Sequence, residues 1–138
     1  MKRAISFFLA ALCALILAGC GGVVVDLPDD PEVFDLFERD DIESVVLKNG
    51  DNEYVIFGML KSRGLFDLNY AFGKCVGYVS GDKNDRIFEP KGEKPEDWLV
   101  RYYVGGVMDQ PVVLRNLASA LSGEGAVPDC VRQTLNIN

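Results

Sequence analysis

The sequence predicts an α+β domain in which an antiparallel sheet of about five or six strands carries two or three short helices on one face. Three observations predict this fold class. Apolar and polar residues alternate in several stretches, which is typical of half-buried strands. An Asn-Gly pair lies between two stretches rich in β-branched and aromatic residues and indicates a hairpin. Two other stretches carry apolar residues at helical spacing.

The strands are predicted from these alternations and from the turn residues between them. Residues 42–48 and 53–60 form the hairpin, with residues 49–52 as its turn. Further strands are expected at residues 65–72, 75–80, 86–89 and 98–104. The segments between them are rich in Gly, Pro, Asn and charged residues, which predicts turns or loops at Gly73-Lys74, residues 81–85, residues 90–97 and Gly105-Gly106.

Two segments are predicted to be helices. The first covers residues 31–39, because Asp30 is a good N-cap and apolar residues follow it at helical spacing. The second covers residues 111–122, whose apolar stripe is ended by Gly123. Residues 128–135 fit either a last helical turn or a strand. The helices are expected to cover the apolar face of the sheet.

The first twenty residues carry the most specific motif of the chain. Lys2 and Arg3 precede residues 4–18, which are apolar except for Ser6; this length is typical of a signal-peptide core and short for a membrane span. The tetrapeptide Leu17-Ala18-Gly19-Cys20 follows. It resembles the lipobox of bacterial lipoproteins, in which a Leu and two small residues precede the modified Cys, and it favours a lipoprotein over a plain transmembrane anchor.

The lipoprotein resemblance implies a covalent lipid on the Cys20 sulfur, cleavage between Gly19 and Cys20, and acylation of the new amino group. Two or three acyl chains give stable anchoring where one chain does not. Gly21 in place of Asp implies sorting to the outer membrane, with the domain facing the periplasm. The chain is then expected to divide into a signal peptide, a lipidated tether and one α+β domain, at residues 1–19, 20–30 and 31–138.

The four cysteines predict one disulfide bond. Cys13 leaves with the signal peptide and Cys20 carries lipid, so Cys75 and Cys130 remain as a pair in an oxidising compartment. We therefore expect a Cys75–Cys130 disulfide. A redox pair is a weaker alternative because such sites usually have C-x-x-C spacing. A metal site is weaker still, since two thiols without histidine supply too few ligands.

The charge distribution argues against nucleic-acid binding and suggests a protein partner. The chain carries 14 basic and 21 acidic residues, so it lacks the basic balance of nucleic-acid binders. The whole negative excess of the mature chain lies in residues 20–60, close to the anchor. A solvated acidic face is the simpler interpretation. The alternative is that Phe34, Phe37, Asp40 and Asp41 form a docking surface for an envelope protein.

No motif in the sequence indicates catalysis or a cofactor other than the covalent lipid on Cys20. Histidine is absent, and no nucleophile elbow, phosphate-binding loop or dinucleotide fingerprint occurs. The carboxylate pairs Asp40/Asp41, Asp82/Asp85 and Glu96/Asp97 lie in polar segments that usually face water. A calcium loop beginning at Asp82 fails because Arg86 and Ile87 occupy its fifth and sixth positions.

The sequence therefore predicts a lipid-anchored envelope lipoprotein that acts as a non-enzymatic interaction or structural module at the outer membrane. Two alternatives remain open. The domain could bind a small ligand or an envelope polymer through an aromatic face of its sheet, or it could inhibit an envelope enzyme.

Overall fold

Seven strands close into a mixed β-barrel, so the α+β prediction is wrong. The computed structural model describes residues 26–60, 71–94, 96–105, 110–122, 127–129 and 131–132. The strands are β1 (Glu32–Arg39), β2 (Ile42–Asn49), β3 (Asn52–Met59), β4 (Phe72–Val79), β5 (Asp82–Pro90), β6 (Trp98–Tyr103) and β7 (Val112–Asn116). Helix α1 (Leu117–Ser122) follows β7 directly. The sheet is therefore not an open layer covered by helices but a wall that closes on itself.

The barrel consists of two meanders joined along two seams. Strands β1-β2-β3 form the first meander and β4-β5-β6-β7 the second, and the order around the barrel is β1-β2-β3-β7-β6-β5-β4. One seam is the antiparallel β3–β7 ladder, and the other is the parallel β1–β4 ladder. A ring with an odd number of strands cannot alternate direction throughout. One parallel pair is therefore unavoidable, and it lies at β1–β4.

The parallel seam is short and depends on a close approach of two backbones. Its register runs from Glu32–Gly77 to Phe34–Val79, and the Ser80 N–H extends it by donating to the Phe34 carbonyl at 2.7 Å. A Cβ atom on Gly77 would overlap the Glu32 carbonyl oxygen and lie 2.7 Å from the Glu32 carbonyl carbon. Glycine is thus required here because backbone occupies the place of a side chain.

The interior of the barrel is filled by one large apolar side chain from every strand. These residues form the barrel core: Phe34, Leu47, Tyr54, Val79, Ile87, Leu99 and Leu114. Each is at most 4% exposed. Phe34 and Tyr54 pack edge to face with their ring centroids 6.4 Å apart. The interior is therefore a packed core at this level, as in other small barrels.

A second cluster, the outer core, lies on the outside of the β4–β7 half of the wall. Its buried members are Leu60, Ala71, Phe72, Cys75, Phe88, Trp98, Val100, Val113 and Val131. Leu27 and Val127, from either end of the described chain, pack against it. Neighbouring residues such as Ile87 and Phe88 belong to different clusters, so β5, β6 and β7 are buried on both faces.

The helix predicted at residues 31–39 is strand β1. Its apolar spacing fits a helix, but the residues pair with β2 along their length and with β4 at Glu32–Phe34. Val33 and Phe34, which a helix would place together, lie on opposite faces: Val33 is 43% exposed and Phe34 is buried. Tertiary pairing of β-branched and aromatic residues thus overrides the helical pattern.

The helix predicted at residues 111–122 is half strand and half helix. Val112–Asn116 form β7, because this segment closes the wall between β3 and β6. The helix begins only at Leu117, where the Asn116 side chain caps it by accepting the Ala118 N–H at 2.9 Å. Asp129, Val131 and Arg132 are helical, which agrees with one of the two forms expected for residues 128–135.

The strand predictions succeed where a hairpin is local. The hairpin at residues 42–60 and the strand at 98–104 are confirmed as β2–β3 and β6. Gly73-Lys74 and residues 82–85 lie inside β4 and β5, so the turn and the loop predicted there are wrong. Most of the strand predicted at residues 65–72 lies outside the described residues.

We expect Gly77→Ala to destabilise the barrel by about 2–4 kcal/mol, because the new methyl group must displace the β1 backbone at the parallel seam. Gly50→Ala is the matched control. Gly50 has φ 57°, and no atom lies within 4 Å of the place that a Cβ would take, so its cost is about 1 kcal/mol of left-handed strain. Urea denaturation measures both, and equal losses would contradict the role given to Gly77.

Candidate functional site

Residues 35–46 form the part of the β1–β2 hairpin that extends beyond the barrel wall, here called the distal hairpin. Strand β1 pairs with β2 as far as Arg39–Ile42, whereas its ladder with β4 ends at Phe34. Strand β2 pairs with β3 only at Leu47–Asn49. Among the described strands, the distal hairpin therefore has no partner on either side.

The inner face of the distal hairpin continues the lining of the barrel but is open to solvent. Leu36 pairs with Leu47 of the barrel core, so both side chains point to the same face, yet Leu36 is 43% exposed. Val45 precedes Leu47 by two positions along β2, and Ile56 follows Tyr54 on β3; they are 39% and 46% exposed. We call Leu36, Val45 and Ile56 the inner strip.

Carboxylates surround the apolar part of the distal hairpin. Five acidic residues lie between positions 35 and 46, against the single basic residue Arg39. Glu38 and Glu43 share the inner face with Leu36 and Val45, because Glu38 pairs with Val45 and Glu43 is two positions away. A groove of about 320 Å³ at the tip is lined by Glu38, Arg39, Asp40, Ile42, Glu43, Ser44 and Val45.

Arg39 ties the tip of the distal hairpin to the barrel wall. Its Nε and Nη2 donate to Asp41 at 2.8 and 2.6 Å, and its Nη1 donates to Glu53 Oε2 at 2.5 Å. The hydrogen bonds from Arg39 lower the pKa of the Asp41 carboxyl, and those to Asp41 and Glu53 raise the pKa of the Arg39 guanidinium. The one cation of the hairpin is thus occupied, and it serves only one of the five carboxylates there.

The structure separates the residues predicted to form a docking surface. Phe34 is buried in the barrel core and cannot contact a partner. Phe37 lies on the outer face of β1, half-buried, with the Lys48 ammonium 5.8 Å from its ring centre. Asp40 and Asp41 are exposed at the β1–β2 turn. Of the four residues, Asp40 and Asp41 are accessible, and the exposed apolar side chains of this hairpin belong to the inner strip.

The other end of the barrel carries a polar cluster centred on Asn116. Its Nδ2 donates to Asn52 Oδ1 at 3.1 Å and to the Glu96 carbonyl at 2.9 Å. Beside it, the Ser119 hydroxyl donates to Asp97 Oδ1 at 2.5 Å. A groove of about 370 Å³ lies between this cluster and α1. These hydrogen bonds hold β7 and α1 against neighbouring segments. This structural role is sufficient to explain the cluster.

Several of the carboxylates weighed as catalytic pairs are engaged in other contacts. Asp85 is buried inside the barrel, where Arg101 donates to both of its oxygens at 2.7–3.1 Å. These bonds raise the pKa of Arg101. Asp82 accepts the Asn84 N–H at the start of β5, and Asp97 accepts from Ser119. Within the described ranges, no group of three Cys, Asp or Glu side chains could hold a metal ion.

The aromatic side chains give little support to a sugar- or ligand-binding face. None of those in the described part of the chain is among the exposed large side chains. Trp98 is covered edge to face by Phe57 and stacked by the Arg115 guanidinium at 5.2 Å, and Phe72 packs against Phe88 and Tyr102. The rings are therefore used for packing rather than presented to solvent.

Of the residues predicted to be lipidated, cleaved or disulfide-bonded, the structure describes only Cys75. Gly19, Cys20 and Cys130 lie outside the described residues. Cys75 is buried in the outer core, its Sγ donates to the Gly77 carbonyl at 3.7 Å, and burial raises the pKa of its thiol. Val131, the neighbour of Cys130, lies in the same cluster. Since Cys130 itself is not described, the disulfide stays a prediction.

Comparison with known proteins adds no identity. No family model matches the chain, and no curated protein or solved structure is significantly similar to it. Among the helices in the described residues, none has the length and apolar character needed to cross a bilayer.

Raising the pH should weaken the fold through Tyr54. Burial raises its pKa to about 12 from an ordinary value of 10.0, so the folded state holds a proton that the unfolded state loses between those values. The stabilisation is complete below pH 10 and disappears as the pH rises towards 12, with about 1 kcal/mol lost between pH 9 and 11. Urea denaturation at both pH values measures it. Tyr54→Phe should lack this part of the loss, and an unchanged slope would contradict the assignment.

The Cys75–Cys130 disulfide predicts that neither thiol is alkylated when the protein is denatured without reductant, and that both are alkylated after reduction. Closing a loop of 55 residues stabilises the fold by about 4 kcal/mol, so reduction should cost about that much. Cys130→Ser is the matched control. It should lower the stability by a similar amount and make it insensitive to reductant, whereas alkylation of both thiols without reductant would refute the bond.

Proposed function

We propose that the protein is a lipid-anchored, non-enzymatic interaction module of the bacterial envelope. In this proposal Cys20 carries the lipid, the domain lies at the periplasmic face of the outer membrane, and an envelope protein is its partner. The specific motif Leu17-Ala18-Gly19-Cys20 supports the anchor. Neither a cofactor other than the lipid nor nucleic acid belongs to the proposed function.

The observation that carries the proposal is how soon the fold begins after the anchor. Leu27 packs against the outer core only seven positions after Cys20. Even a fully extended chain spans about 25 Å over that length, so the barrel is held close to the bilayer surface. A tether this short suits a module whose partner is itself at or in the membrane, because it concentrates both in a thin layer.

The surface of the barrel supports binding more than chemistry. The outer core covers one half of the wall, whereas the other half exposes Val33, Leu36, Val45, Ile56 and Met59. Exposed apolar side chains beside a charged rim are typical of protein-binding surfaces. Several of the carboxylates that sequence reasoning considered for catalysis are engaged by Arg39, Arg101, Ser119 or a backbone N–H.

The anchor is tested by expressing the full chain with a C-terminal tag and labelling cells with a palmitate analogue. We expect the wild-type protein to begin at Cys20, to carry acyl chains and to fractionate with the outer membrane. Cys13→Ser is the matched control and should behave like the wild type, because Cys13 lies in the signal peptide. Cys20→Ser should lose the label and the membrane association.

The interaction is tested by chemical cross-linking in the same cells. We expect one abundant envelope protein to be linked to the wild type and to Cys13→Ser, and the product to weaken in Cys20→Ser, since the anchor supplies local concentration. A wild-type protein that is unlipidated, or that yields no cross-linked envelope protein, would refute the proposed function.

A further inference from the structure

We infer that the inner strip of the distal hairpin is the docking surface, and that its occupant is an extended segment of another protein with apolar side chains flanked by Lys or Arg. This inference rests on the proposed function and specifies its partner. It starts from the exposure of Leu36 and Val45, which continue the lining of the barrel core beyond the last pairs of the β1–β4 and β2–β3 ladders, and of Ile56 on β3, which shares the face of the barrel core.

The exposure of the inner strip is a property of the topology rather than scattered surface apolarity. Leu36 and Val45 lie one step beyond the pairs that bury Phe34 and Leu47. In a complete wall they would be covered by neighbouring strands, as Leu47 is. The distal hairpin therefore presents a sheet face of core composition, and covering it with a partner removes apolar surface from water.

The backbone at the edge of β1 favours an extended occupant. The Phe34 carbonyl accepts the Ser80 N–H, so backbone groups two and four residues later, at Leu36 and Glu38, point to the same side. The described strands supply no partner to them there. A strand added at such an edge pairs its backbone and places alternate side chains on the face below. In this geometry the side chains on the inner face stand beside Leu36, the member of the inner strip on β1.

The charge of the distal hairpin selects the occupant. Five carboxylates stand against Arg39, which is already bonded to Asp41 and Glu53. A second copy of the chain would bring the same excess of negative charge and be repelled, and so would the anionic surface of a bilayer. Lys or Arg beside the apolar side chains of a partner would instead meet Glu38 and Glu43 at the rim.

The first experiment measures binding to a defined probe, using the full-length protein in detergent. A fluorescent peptide of sequence Lys-Ser-Val-Ser-Val-Ser-Lys, here called the Lys-Val peptide, places its Val and Lys side chains on one face of an extended strand. It should bind and should weaken as salt is added, whereas the same peptide with Glu in place of Lys should not bind. The double variant Glu38→Lys/Glu43→Lys should weaken binding about tenfold. Its control, Glu93→Lys/Asp129→Lys, makes the same charge change at exposed sites elsewhere and should leave binding within about twofold.

The role of the apolar side chains in binding is tested by comparing two substitutions on β1. Leu36→Ser should weaken the Lys-Val peptide about tenfold, whereas Val33→Ser should not, although both residues are 43% exposed, because Val33 lies on the opposite face of β1. Thermal denaturation of each variant checks that it is folded. Equal effects of the two substitutions, or binding of both peptides alike, would overturn the inference.

A photo-cross-linking residue separates failure of this inference from failure of the proposed function. Placed at position 36 of the anchored protein in cells, it should link to an envelope protein, and sequencing of the linked peptide should show apolar residues flanked by Lys or Arg. Placed at position 33, it should link far less. Links from position 33 alone, links to lipid, or an acidic or neutral partner peptide overturn the docking surface. Loss of every protein link at both positions, together with no chemical cross-link, refutes the proposed function as well.

Discussion

The closing contact between β1 and β4 is the constraint on which the rest of the structure depends. A sheet of seven strands can close only if two neighbours run parallel, and here these two backbones approach so closely that one of them must carry glycine at position 77. Once the seam is made, the barrel core is sealed by one side chain from each strand. The seam is also short, and its early end at Phe34 leaves the distal hairpin outside the wall.

Burial is distributed unequally around the barrel, and this asymmetry separates scaffold from surface. Strands β5 to β7 are apolar on both faces because the outer core covers them. Strands β1 to β3 are less completely buried: Val46 and Phe57 are covered, but Val33, Leu36, Val45, Ile56 and Met59 are exposed. The acidic residues follow the same division, since the negative excess lies in the part of the chain that forms the first meander. The additional buried layer and the excess of negative charge thus lie in different halves of one wall.

The elements that the sequence predicted correctly are those determined by residues close together in the chain. The turn at Gly50, where φ is 57°, and the strands on either side of it could be read from residue types, and so could β6. The failures have a common cause. Val33, Phe34 and Leu114 satisfy helical spacing, and only pairing with strands distant in sequence makes them extended. The exposure of the inner strip could not be predicted, because it depends on where the ladders of neighbouring strands end. The pattern of residues along one strand does not show this.

The two seams also set the order of folding. Each meander is built from hairpins between neighbouring strands, whereas β3–β7 joins Tyr54 to Asn116 and β1–β4 joins Glu32 to Gly77. Contacts between such distant residues form late, because the loops that they close cost entropy before any contact compensates for it. Until then the barrel-core side chains of the second meander, Ile87 and Leu99 among them, lack the cover that the first meander gives them. An open half-barrel with an uncovered apolar face is prone to aggregate, so slow closure of the seams would favour aggregation over folding.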